Sequence, residues 1–227
     1  MKARRRIVGV FGSAVALMLS GCGLASSGSY RVRTTVEVET PQGIRSGSSV
    51  MEVYAHRTFA LTSEEKSGSA GLKGEAVVVD LPGGPLFITL KVPDGGDGLG
   101  QAMTFALAPG GRTGHVDDYI AKVRKLGGWF AGTVRAELPR EDWPMMVRFR
   151  DLNDPRSVEM VDPVAIGVKR IVVETTGDAV TAGIKERLGW LSTHIGSLVK
   201  RPTNVLIGDM PEAQRLTVRE FITEFGR

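Results

Sequence analysis

The sequence predicts a mainly β, α+β fold: antiparallel sheets, with a β-sandwich as one arrangement, and two or three short helices. Three observations predict it. Residues 30–40 alternate strictly between two faces, β-branched and apolar runs recur between Gly, Pro and Asp turn signals, and one stretch alone has secure helical spacing with matching charges.

Tyr30, Val32, Thr34, Val36, Val38 and Thr40 fall on one side of the first strand, and Arg31, Arg33, Thr35, Glu37 and Glu39 on the other. Period two with one polar face describes a strand whose other face is buried. Pro41-Gln42-Gly43 is a turn, and Val50 to His56 is the return strand. Ser63 to Gly74 is polar and reads as loop. Glu75 to Leu81 and Leu86 to Val92 flank Pro82-Gly83-Gly84-Pro85 as a second hairpin, and Met103 to Leu107 reads as a short strand between Gly- and Pro-rich loops.

Val116, Tyr119, Ile120, Val123 and Leu126 then recur at helical spacing. Asp117 and Asp118 sit in the first turn, Lys122, Arg124 and Lys125 towards the last, and Gly127 follows. Charges in this order complement the helix dipole. Strand signals return at Gly132 to Glu137, Met145 to Arg150, Val158 to Val161 and Val168 to Thr175, with Asn153-Asp154-Pro155 as a turn. Thr181 caps an expected helix through Ile184, Leu188, Leu191 and Ile195, weakened by about 1 kcal/mol at each of Gly183 and Gly189. Residues 209–227 fit a helix or a strand equally.

The N-terminus is of a different kind. Lys2, Arg4, Arg5 and Arg6 precede the uncharged run Ile7 to Leu19, the basic head and apolar middle of a secretory signal. A helix of that length rises about 20 Å, short of the roughly 30 Å hydrocarbon core of a bilayer. Next comes Leu19-Ser20-Gly21-Cys22, which holds the only cysteine in the chain. This run resembles the lipobox of bacterial lipoproteins. The resemblance implies a signal peptide over 1–21, a lipidated Cys22 and a membrane-anchored protein of the cell envelope. Gly23, in place of Asp, implies the outer membrane facing the periplasm. Several acyl chains on one residue anchor firmly, because each buried methylene contributes about 0.8 kcal/mol. Residues 22–29, rich in Gly and Ser, read as a flexible tether, and 30–227 as a single β-rich globular domain.

A formal charge of +4 and a pI near 9.4 suggest a polyanion partner. The four basic residues of the signal, however, account for the whole excess of 29 basic over 25 acidic residues. The remaining chain is balanced, which argues against nucleic acid as a partner. With 42 % apolar residues it can bury a real core.

Motifs for chemistry are sparse. His115 with Asp117 and Asp118 is the one place where an imidazole has acidic neighbours, a candidate metal or acid/base site, although a favourable helix start explains the aspartates equally well. Asp94-Gly95-Gly96-Asp97-Gly98 fails as an EF-hand loop, since its sixth and twelfth positions are Leu99 and Phe105. Pro109 to Gly114 lacks the Lys and Ser/Thr of a P-loop, and no serine lies in GxSxG. No cofactor is expected. Trp143, in the Pro-bounded polar loop 139–144, is a candidate partner contact, with packing on its own sheet as the alternative.

Tyr30 to Val50, Asp154-Pro155-Arg156-Ser157-Val158 with Val161-Asp162-Pro163, and the stretch TAGIKERLGWL at 181–191 resemble a group of proteobacterial envelope proteins of unknown function. Gly189 departs from the pattern, where proline is expected. The resemblance implies no activity. The functional expectation is therefore a non-catalytic binding or scaffolding domain, held to the membrane by its lipid and contacting an envelope protein or ligand. An enzyme around His115, Asp117 and Asp118, or an apolar-ligand carrier, are the alternatives.

Overall fold

The structure, a computed structural model, describes residues 27–57, 68–93, 98–108, 110–112, 114–128, 131–200, 204 and 206–223. The expected signal 1–21, the lipidation at Cys22 and the loop Asp94–Asp97 lie outside the described residues. The fold is mainly β, and the described residues form two antiparallel sheets and three α-helices.

Strands β1 (Ser27–Thr40) and β2 (Gly43–Arg57) form a long hairpin, from Thr40 opposite Gly43 to Ser27 opposite His56. The strand thus opens three residues before Tyr30, and Ser27 to Ser29 of the expected tether are paired backbone. Gly28 allows this, since a β-carbon there would strike the side chain of Arg124. The expected loop 63–74 contains β3 (Gly68–Lys73), paired to β2 from Lys73 opposite Glu52 to Gly68 opposite Arg57. Next come β4 (Val77–Val79), β5 (Leu86–Ile88), β6 (Arg135–Glu137), β7 (Met146–Phe149), β8 (Val158–Met160) and β9 (Val168–Thr175). One sheet has the order β3-β2-β1-β9-β6 and the other β4-β5-β7-β8.

The alternation along β1 sets the first sheet's faces. Tyr30, Val32, Thr34, Val36 and Val38 are buried, and they share a core with Met51, Val53, Ile171 and Val173 and with Val77, Val79, Leu86, Ile88 and Met146 of the second sheet. The opposite face carries charge. Arg170 donates to both oxygens of Glu37 at 2.8 and 2.9 Å, and Arg135 lies 3.8 Å from Glu174.

The second sheet is covered on both sides, which explains its continuous apolar strands Val-Val-Val and Leu-Phe-Ile. Its far face, with Phe87, Val147, Phe149 and Val158, packs under the C-terminal residues Leu188, Leu216, Val218 and Phe221.

Helix α1 (Leu99–Leu107) replaces the strand expected at Met103 to Leu107. Leu99, Ala102, Met103 and Leu107 are spaced for one helical face, and that face is buried. Helix α2 (Val116–Leu126) matches its expected limits, with Tyr119, Ile120, Val123 and Leu126 inward and Gly127 as C-cap. After Gly183 (φ +140°), helix α3 (Ile184–Arg187) makes a single turn before a 3-10 turn over Gly189–Ser192, so the helix expected to reach Ile195 breaks early. Ile195 is 94 % exposed. The last described stretch is neither the helix nor the strand expected: it is a series of 3-10 turns, one of them closed by a Thr217/Glu220 capping box.

Candidate groove between the β3 edge and the helices

Sheet one ends at β3, whose first four residues, Gly68 to Gly71, carry almost no side chain. Helices α1 and α2 stand beside it, and a groove of about 440 Å³ opens between them, lined by Gly68, Ser69 and Ala70, by Gln101 and Phe105 of α1, and by His115 and Tyr119 at α2. A second cleft of about 270 Å³ continues it past Leu72, Leu90, Leu99 and Tyr119 to Arg219 and Thr223. Ala70, Gln101 and Tyr119 border both.

The wall is held by three buried hydroxyls. Thr104, within α1, donates back to the carbonyl of Gly100 at 2.7 Å. A hydroxyl has one proton, so Tyr30 of β1 at 2.9 Å and Tyr119 of α2 at 3.3 Å both donate to Thr104 Oγ1. One threonine thereby joins both helices to the first strand. Burial holds the Tyr30 phenol protonated well above its ordinary range.

Of the residues singled out in the sequence, His115 lies on this groove, immediately before α2. Asp117 and Asp118 do not line it; both are exposed in the first turn, and Asp117 pairs with Arg57 at the end of β2. Among the described residues no three His, Cys, Asp or Glu side chains group within reach of one metal ion.

Trp143, the candidate partner contact, is buried. It is 6 % exposed, its indole N–H donates to the carbonyl of Leu138 at 2.9 Å, and Arg140 lies over its ring at 5.3 Å from the centroid. The ring joins the core shared by the two sheets. Beside it, Asp142 is nearly buried and pairs with Arg112 from the glycine-rich loop.

Sequence reasoning missed the groove itself. Gly68, Ala70 and Gly71 carry no chemical signal, and Tyr119 reads simply as an apolar-face residue of α2. Both clefts open to the surface. No helix among the described residues is long and apolar enough to cross a membrane. Comparison with protein-family models, curated proteins and solved structures finds no match to this chain.

Proposed function

We propose that this protein is a lipid-anchored domain of the bacterial cell envelope that binds another envelope component in the groove between β3 and helices α1 and α2. The observation that carries the reading is the position of the groove relative to the start of the domain. Ala55 and Gly68 line it, and Ala55 is paired with Gly28, the second residue of β1. Only five peptide links separate Ser27 from Cys22, a span of at most about 18 Å. A lipid on Cys22 therefore holds the groove beside the membrane surface, and Gly23 favours the periplasmic side of the outer membrane. The mixed lining, with Phe105 and Tyr119 beside Ser69, Gln101 and His115, suits recognition by shape and a few polar contacts.

Two measurements test this. Mass spectrometry of protein taken from cells should show residues 1–21 removed and acyl mass on Cys22, and Cys22→Ser should release the protein from the membrane fraction. A photoreactive amino acid at Gln101 should crosslink one defined envelope component, and the same group at Val164, a 63 % exposed position remote from the groove, should not. Equal crosslinking patterns from both positions would defeat the binding assignment, and intact Met1 with no added mass would defeat the anchor.

A further inference from the structure

The outer edge of β3 is a partly used hydrogen-bonding ladder. The Val50 N–H of β2 donates to Thr181 Oγ1 at 2.8 Å and its carbonyl accepts from the Thr181 N–H at 2.9 Å, so its backbone groups point away from β1. In an antiparallel strand this direction repeats every second residue, and Glu52, Tyr54 and His56 therefore face β3. Their partners are Lys73, Gly71 and Ser69. Gly68, Ala70 and Leu72 consequently direct both N–H and C=O outward, in phase with Gly74.

The next rung confirms the phase. The Gly74 N–H donates to Thr223 Oγ1 at 2.8 Å, the Thr223 N–H donates to the Gly74 carbonyl at 3.1 Å, and Ile222 bridges Glu75 in the antiparallel sense. One end of the edge already carries a crossing chain. The rungs at Leu72, Ala70 and Gly68 have no backbone partner among the described residues, and all three border the groove.

We infer that the β3 edge binds an extended segment of a second polypeptide, which adds as an antiparallel strand on Gly68, Ala70 and Leu72. This rests on the groove-binding reading above and names its partner class. Unpaired backbone donors and acceptors call for a ligand with a backbone of its own. Over Gly68–Gly71 the strand itself carries only the small side chains of Ser69 and Ala70, with Val116 and Tyr54 packed over Gly68 and Gly71, whereas the opposite edge β6 is three residues long and carries Arg135 and Glu137. Alternate side chains of the incoming strand point into the clefts. An apolar one meets Leu72, Leu90 and Leu99, and an acidic one at the Thr223 end meets Arg219, which is exposed and makes no ion pair with a described residue.

The probe is the peptide acetyl-Asp-Thr-Val-Thr-Leu-Thr-Val-Thr-amide, whose N-terminal Asp an antiparallel strand places at the Thr223 end, titrated into the full membrane-extracted chain in detergent and followed by amide hydrogen exchange. Saturating peptide should slow exchange at Ala70 and Leu72 by about tenfold or more, with little change at Gly71, already bonded to β2. The same peptide N-methylated at alternate residues should bind at least about tenfold more weakly, as should Ala70→Pro protein, which loses an outward N–H and no bond to β2; unchanged thermal unfolding of that variant checks its fold. Equal binding of the N-methylated peptide overturns strand addition and leaves groove binding standing. Protection seen only in a chain ending at Thr223 overturns it in favour of residues 224–227 of the same chain as occupant. No protection in either chain up to millimolar peptide also overturns it, and the crosslinking from Gln101 reports separately on the groove.

Discussion

Gly47 of β2 stands against the backbone carbonyl of Val78 in β4, and a β-carbon at position 47 would collide with that oxygen. Gly47 belongs to the inward row of β2, opposite Val36, so the sheets touch backbone to backbone exactly where that row loses its side chain. Gly47→Ala should therefore destabilise the fold by about 1–3 kcal/mol through overpacking. Urea denaturation measures this, and a midpoint equal to that of the parent would mean that the sheets do not close there.

Thr104 accepts from two tyrosines while donating to Gly100. Replacing it with valine keeps the shape and leaves the buried Tyr30 hydroxyl without its acceptor, which should cost about 1–3 kcal/mol. Tyr30→Phe removes the orphaned group as well, so the double variant should lose less than the two single losses combined. Strict additivity in the cycle would dissolve the network.

Tyr30 also sets an alkaline limit. Its phenol is held protonated in the folded chain above the ordinary value of about 10, so the folded state retains a proton that the unfolded state gives up. Stability is fully present below pH of about 10 and falls as pH rises beyond it, until the folded phenol also ionises. Tyr30→Phe should flatten this decline between pH 9 and 11.5 on the order-of-magnitude scale of one titrating group. Parallel alkaline limbs for parent and variant would rule out Tyr30 as the cause.

Phe221 packs edge-on to Phe87 at 6.4 Å between centroids and lies 5.7 Å from Phe149 and 6.0 Å from Trp190. It is fully buried, although it comes from a turn with no regular helix or strand. Phe221→Ala should cost about 3–5 kcal/mol and shift the Trp190 emission to the red. A loss below about 1 kcal/mol would show that the C-terminal turns are not part of the core.

Cations on the charged sheet face are paired rather than free. Hydrogen bonds from Arg170 hold the Glu37 carboxyl below its usual range, so the folded state binds that proton less readily than the unfolded chain. The pair's contribution is present above pH of about 4.3 and is lost as pH falls through the lowered value. Arg170→Gln should move the carbon-detected titration midpoint of Glu37 upward, and an unmoved midpoint would refute the pairing.

The elements legible in the sequence were those whose own residues repeat with the period of the structure. The β1 alternation predicts both faces of the first sheet, and the spacing from Val116 to Leu126 predicts α2 with its cap. Val77–Val79 and Leu86–Ile88 read as strands because both of their faces are buried. The α1 segment misled, since Met103 to Leu107 is a continuous apolar run in which helix and strand cannot be told apart locally. Burial of Leu99, Ala102 and Met103 against β3, β6 and β9 decides for helix. Of the candidate site, His115 alone was visible.

Local period and composition by themselves determined the antiparallel, mainly β character, the polar outer face of β1 and the limits of α2. Each of these follows from which side chains must leave water together along one short stretch. Tertiary structure alone decided that Gly68–Lys73 is a strand, that Trp143 is core and that a groove exists. β3 contributes backbone and almost no side chain, so its stability comes from the open edge of β2 and its meaning from helices about thirty to fifty residues further along the chain. A hydrogen-bonding edge is defined by the neighbour it lacks, and that is a relation in space which no pattern of residues along the chain can express.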